Sequence, residues 1–212
     1  MCGRFELKTR FDELPKVLKR DYPSGLRNKY EIQTLIKPQD PVLVIKNEGK
    51  MKTTFMSWGF ISPWAKDPFD KSQPRPFNAR SETVGEKNFF QGSWRNKRCL
   101  IPASGFFEKG FRIRKKNYAT FWLGGLWSRW TSRDGAELES CCILTTEPNE
   151  LIKPIHHRMP VVIPEGIEEP WTENVKDNYE LEGLLPIMMG WSPEDWLIEE
   201  LNKSQTNQMS LF

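Results

Sequence analysis

The 212-residue sequence predicts a β-rich α+β fold: one domain with mostly antiparallel strands and peripheral helices. Three observations predict it. Short runs rich in Val, Ile, Phe and Trp recur along the chain, hairpin signals separate some of them, and few stretches carry helix-start chemistry. No internal repeat, low-complexity tract or Gly/Ser linker divides the chain, and its length suffices for one sizeable core. A single domain over residues 1–203 is therefore expected, followed by a short tail, 204–212.

The elements follow in order. "RFDELPKVLKR" (10–20) has the spacing of a short amphipathic helix. "PVLVIKN" (41–47) and "MKTTFMSWGF" (51–60) read as a strand pair joined across "EGK", a three-residue loop with a glycine. In "SETVGEKNFFQGSW" (81–94), Thr83 and Glu86 have capping-box spacing and predict a helix start. "RCLIPASGFFEK" (98–109), "YATFWLGGLWSRW" (118–130) and "ESCCILTTE" (139–147) read as β segments. "SPEDWLIEELNK" (192–203) predicts the clearest helix of the chain. Ser192 would be its N-cap, Pro193 would open it, and acids fill its first turn.

Hydrophobic residues make up 38% and charged residues 28%, the balance of an ordinary globular chain, and no run has the length of a membrane span. With no apolar signal region at the start, a cytoplasmic location is expected. The four cysteines, Cys2, Cys99, Cys141 and Cys142, then read as thiols. Their spacing matches no paired zinc-ligand pattern, so neither a metal nor a cofactor is expected. The net charge of +3 decides little, but its distribution is uneven. "WRNKR" (94–98) and "KGFRIRKK" (109–116) are basic and lie among aromatics, which suits a nucleic-acid backbone as well as a solvated face.

Several polar residues do not fit scaffold logic. Asn78 and Arg80 in "FNARSET" would share one face of an extended segment, Arg80 for phosphate and Asn78 as an amide donor; a turn-forming Asn is the plainer alternative. Glu108 ends the apolar run "PASGFFEK". Partly desolvated against two phenylalanines, it would suit proton transfer, or it marks the strand's exit to solvent. "IHHRMP" holds both histidines of the chain. "WGFISPWAKDP" presents Trp64 as a core anchor or as a wedge on which a base stacks. Cys2 stands where chains usually fray.

Taken in register, "MCGRF", "WGFISPWAKDP", "FNARSET", "PASGFFEK" and "HHRMP" resemble the SRAP (SOS response-associated peptidase) family from residue 1 to about 163. The resemblance implies loss of Met1, leaving Cys2 with a free α-amine beside its thiol. It implies a covalent adduct with abasic sites in single-stranded DNA that shields the lesion. By this resemblance Cys2 is the nucleophile, and Asn78, Glu108 and His156 complete the catalytic set. Arg80 contacts phosphate, Trp64 is the wedge, and Arg4 and Thr145 contact DNA or support the site. Strand cleavage at the abasic site and self-removal of Met1 are implied side activities. A cysteine peptidase acting on proteins and a noncatalytic single-strand-binding module stand as alternatives. "NKYEIQTLIKPQDP" (28–41) keeps Tyr30 but lacks the family's Asn and Ala-Pro, and Ala65 stands where some relatives have a second Trp. The last residues, Gln208, Met209, Ser210, Leu211 and Phe212, resemble the short peptide that bacterial replication proteins insert into the sliding clamp. A monomer is otherwise expected, with no membrane partner.

Overall fold

The structure, a computed structural model, describes residues 2–202. Gln208, Leu211 and Phe212, and with them the expected clamp peptide, lie outside the described residues.

Among the described residues the strands are β1 (Phe5–Leu7), β2 (Gln33–Ile36), β3 (Pro41–Asn47), β4 (Met51–Trp58), β5 (Asn78–Arg80), β6 (Arg98–Ala103), β7 (Gly105–Glu108), β8 (Phe111–Lys115), β9 (Phe121–Thr131), β10 (Glu137–Thr146), β11 (Met159–Pro160), β12 (Val162–Ile163) and β13 (Trp196–Glu200). The α-helices are short: α1 (Lys16–Arg20), α2 (Asn88–Asn96), α3 (Glu168–Thr172) and α4 (Asn178–Gly183). The class is as expected, β-rich with antiparallel pairing dominant.

Strands β10, β4, β3, β6 and β9 follow one another in that order, and β9 pairs back onto β10, closing a barrel without free edges. The exceptions to antiparallel pairing are β4 and β5, which both run parallel to β10. β6 is buried throughout, as is most of β9 and β10, which explains their near-continuous apolar sequence. Cys141 and Cys142, on opposite faces of β10, are both fully buried. All four cysteines are free thiols, and no described cluster of His, Cys, Asp or Glu could hold a metal ion. No described helix is long and apolar enough to cross a membrane.

The second sheet, in order β13, β8, β7, β1, β2, is antiparallel. It places β1 between two partners, with Phe5 opposite both Phe106 and Ile36. The start of the chain is therefore stitched into a sheet instead of fraying. The 98–109 segment holds two strands, β6 and β7. The break falls at Ser104, whose N–H donates to the Glu6 carbonyl at 2.8 Å while its hydroxyl accepts from the Lys8 N–H at 2.8 Å. There the chain leaves the barrel for the second sheet.

Three expected elements differ. Residues 192–203 form strand β13 instead of a helix. Trp196 packs on Trp191 and Phe121, with centroids 4.1 and 4.7 Å away, and the ladder to β8 runs from Trp196 opposite Lys115 to Glu200 opposite Phe111. Residues 10–20 split into a 3-10 turn at Phe11–Glu13 and α1, with Pro15 at the junction, where its missing N–H forbids a continuous helix. The helix expected near Thr83 begins at Asn88, and the Thr83 carbonyl caps a preceding turn by accepting from Glu86 and Lys87.

The basic clusters are also structural in large part. Arg98 is fully buried and donates to the carbonyls of Trp94, Arg95, Trp171 and Glu173. Arg112 bridges Glu6 and Glu199, and Arg114 joins Glu199 and lies over the Tyr118 ring. These side chains face carboxylates and carbonyls, not a solvated surface for phosphate.

Candidate active site

Three sequence-distant segments meet at the N-terminal edge of the second sheet. The β1–β7 pairing continues beyond the strand, because Phe107 N–H donates to the Arg4 carbonyl at 2.9 Å. This carries Cys2 toward the end of β7, where Glu108 sits. Cys2 is buried, 1% exposed, and its thiol points to the Arg4 carbonyl at 3.8 Å. Asn78, on β5, donates from Nδ2 to the Cys2 carbonyl at 3.0 Å, fixing the backbone of the segment. The Asn78 Oδ1 is buried and accepts no hydrogen bond from the described protein.

Glu108 is placed by a two-residue hairpin. It pairs with Phe111 across Lys109 and Gly110, both at positive φ (45° and 84°), the combination that a type I′ turn demands. At the other end of β7, a Cβ on Gly105 would stand 2.8 Å from the Glu6 carboxylate, so glycine there leaves the room that this buried carboxylate fills. Glu108 Oε1 lies 3.7 Å from His156 Nε2, longer than a direct hydrogen bond but well inside ion-pair range.

His156 is fixed from its other nitrogen. Nδ1 accepts the Arg158 backbone N–H at 3.0 Å, which leaves Nε2 to carry the proton of the neutral ring toward Glu108. Burial pulls His156 below its ordinary pKa, against the opposing pull of the Glu108 carboxylate, and the neighbouring His157 adds to the lowering. The Cys2 thiol is pushed up to about 12, by burial first and by the Glu108 charge second. At neutral pH it is a thiol, not a thiolate.

Arg158 and Glu82 belong to the arrangement although sequence reasoning gave neither a role. The Arg158 guanidinium meets Glu82 with two bonds of 2.8 Å and donates to the Thr145 carbonyl at 2.6 Å. Burial works to raise the Glu82 carboxyl, but the Arg158 bonds and charge outweigh it and hold Glu82 below the usual carboxylate range. The signal was present: Arg158 stands two residues after His156, and Glu82 two after Arg80.

Of the two readings of Thr145, DNA contact or support of the site, its burial leaves the second: it is fully buried, and its hydroxyl donates to the Ala79 carbonyl at 3.3 Å. Its place is behind the site, under Arg158. Arg4 is half-buried, and Arg80 is exposed at the end of β5. A cleft of about 530 Å³ opens beside His156, lined by Arg80, Lys109, Lys153, His157 and Arg158, with Glu147 as the acid among them. Trp64 is 71% exposed on the loop leading toward β5, so it is no core anchor.

The molecule is thus of a defined class: a β-barrel protein with a second sheet that buries an N-terminal cysteine beside a Glu–His pair at a cationic cleft. The chain belongs to the SOS response associated peptidase (SRAP) family, whose model matches residues 1–197. The match runs past the motif-bearing part of the sequence to the first two residues of β13. Among curated relatives, the abasic site processing protein YoaM of Bacillus subtilis is 37% identical, covering 88% of this chain and 86% of its own. The abasic site processing protein YoqW of the same organism is 34% identical, covering 98% and 96%. A solved structure of a protein from Bacteroides thetaiotaomicron has the same fold, with a TM-score of 0.81 at 23% identity over 96% of this chain and 93% of that one.

Proposed function

We propose that this chain processes abasic sites in single-stranded DNA by forming a covalent adduct through Cys2 after Met1 is removed. The observation that carries the reading is the burial of Cys2 within reach of the Glu108 charge, with Glu108 in turn facing His156 on the wall of a cationic cleft. The relatives' names supply the substrate class.

The chemistry follows from the groups present. An abasic sugar in its open form is an aldehyde at C1′. A free α-amine, with a pKa of about 7.7–8.0, is available near neutral pH where a lysine at about 10.4 is not. Its lone pair attacks C1′, and loss of water gives an imine. The Cys2 sulfur then adds to the imine carbon while the thiol proton passes to nitrogen, closing a five-membered thiazolidine with water as the sole by-product. Amine attack comes first and sulfur second, after the imine has made C1′ a stronger electrophile.

Glu108 would move protons between amine, departing water and thiol. His156, with Nε2–H facing Glu108, would serve the sugar ring oxygen as the ring opens. Asn78 holds the Cys2 carbonyl, and its open Oδ1 can accept from the α-amine or a sugar hydroxyl. Arg80 and Lys109 would neutralise flanking phosphates, and Trp64 would stack on a base. The imine also permits β-elimination, so cleavage of the strand is a side reaction of the same intermediate. The tail residues Gln208, Leu211 and Phe212 would recruit a sliding clamp, which deletion of the last two residues would abolish in a pull-down.

The test is incubation with single-stranded DNA bearing one abasic site, followed by denaturing electrophoresis. Wild type should give a heat-resistant adduct, and Cys2→Ala none. Intact-mass measurement should find Met1 absent from protein that cross-links. Absence of an adduct with Met1-free wild type would sink the reading in favour of noncovalent DNA binding.

A further inference from the structure

His156 is covered on its ring face by His157. Their centroids are 4.2 Å apart and their planes differ by 25°, a stacked arrangement of the chain's only two histidines. His156 is buried, whereas His157 is exposed and lines the cationic cleft. The groups facing the pair come from every neighbouring segment. Glu108 and Lys109 come from the β7–β8 turn, Arg80 and Glu82 from β5 and the turn after it, and Glu147 and Lys153 from the stretch after β10. Arg158 belongs to the histidines' own segment, and the positive charge of the chain's amino terminus reaches His156 as well. Glu82 is paired with Arg158, so the Glu108 carboxylate is the charge that favours a proton on His156, opposed by the chain's amino terminus and then by His157.

We propose that His157 is a positioning residue for the reaction: stacked on His156, it sets the protonation state in which His156 meets the substrate. Two imidazoles in van der Waals contact cannot both carry charge cheaply, so they take up protons as a pair. Positive charge settles more readily on the ring that keeps its hydration, here the solvent-facing one. His156 then meets the substrate neutral, with Nδ1 on the Arg158 N–H and Nε2 toward Glu108, under the ring that lines the cleft. The lowering of the His156 pKa, by burial first and by His157 among the further causes, is in keeping with this.

The inference rests on the proposed role of His156, and its test separates the two. With two histidines in the chain, the Cε1 protons of both can be followed by NMR across pH 4.5–8.5 in wild type, His157→Asn and His157→Phe. The same proteins are assayed for the pH dependence of adduct formation on abasic single-stranded DNA. Removing the titrating neighbour should move the His156 midpoint, and the limb of the rate profile that belongs to it, upward by about 0.5–1 pH unit. His157→Phe keeps a stacked ring without charge and should behave like His157→Asn. A His156 midpoint unchanged in His157→Asn, or restored to wild type by His157→Phe, overturns the proposal. If no protein forms an adduct, the covalent chemistry falls, and the NMR midpoints still decide the role of His157.

Discussion

Asn78 joins two ends of the site through a single hydrogen bond, from Nδ2 to the Cys2 carbonyl. The bond itself is worth about 1 kcal/mol, too little to matter for folding but enough to define where the nucleophile stands. Asn78→Ala should therefore leave the urea midpoint nearly unchanged and slow adduct formation by at least ~10-fold, as expected for a misplaced reactant. Wild-type cross-linking rates in that variant would remove Asn78 from the positioning role. The arginines divide in the opposite way. Arg98→Met leaves four backbone carbonyls without their donor and should cost about 3 kcal/mol in a denaturant titration. It should not alter affinity for undamaged single-stranded DNA. Arg80→Ala should do the reverse, weakening that affinity and lowering its salt dependence by about 0.7 in the log–log slope. Charge count in the sequence could not separate these arginines, because burial depends on which carbonyls surround a guanidinium after folding. The N-terminal cysteine, the Asn-x-Arg pair, Glu108 and His156 were legible as a set. What joins them was not: the Arg158–Glu82 pair braces the wall of the cleft and carries no chemistry of its own.

The element that misled the sequence reading most is β13. Its first residues carry every local mark of a helix start, yet Trp196 is buried at a sheet edge and Glu199 faces Arg112 and Arg114 from β8. A helix could not present Trp196 to Phe121 while laddering five residues against β8, so tertiary pairing overrides local preference. By contrast, the β3–β4 hairpin was legible because its loop and strand composition agree with its environment. The β7–β8 hairpin makes a prediction at this scale. Lys109 occupies a left-handed position at φ 45°, where a lysine pays a conformational penalty and an asparagine pays less. It also lines the cationic cleft. Lys109→Asn should raise stability by about 0.5–1 kcal/mol while weakening binding to undamaged single-stranded DNA. The two effects have opposite signs and can be read from one preparation, by urea titration and by fluorescence anisotropy. A variant that binds as tightly as wild type would show that the turn serves only to place Glu108.

At the scale of the whole molecule, the barrel sets an alkaline limit on stability through its thiols. Cys99, Cys141 and Cys142 are completely buried, and burial is the leading cause that raises the pKa of each far above the ordinary value. The folded state therefore keeps three protons that the unfolded chain releases above about pH 8.5. Where the folded state binds more protons than the unfolded one, stability falls as pH rises. The contribution is intact below the unfolded thiol pKa and is lost progressively above it. By pH 10 each thiol costs about 1.5–2 kcal/mol, and the three together about 5 kcal/mol, a large part of the 5–15 kcal/mol typical of a domain. Tyr30, pushed up to about 12 chiefly by burial, adds a loss of the same sign at still higher pH. The guanidinium chloride midpoint should thus be flat from pH 7 to 8 and fall steeply from pH 9 to 10. Cys142→Ala should be less stable than wild type at pH 7 because it leaves a cavity, but should lose about a quarter less stability between pH 8 and pH 10, because the buried Cys2 thiol adds a fourth proton to those of the barrel. Parallel curves for the two proteins would mean that the barrel opens enough to ionise its thiols while folded. A buried thiol set of this kind is compatible with a reactive Cys2 because the two are separated by construction. The barrel thiols are sealed on both faces of β6 and β10, whereas Cys2 is covered at the edge of the second sheet, beside the cleft.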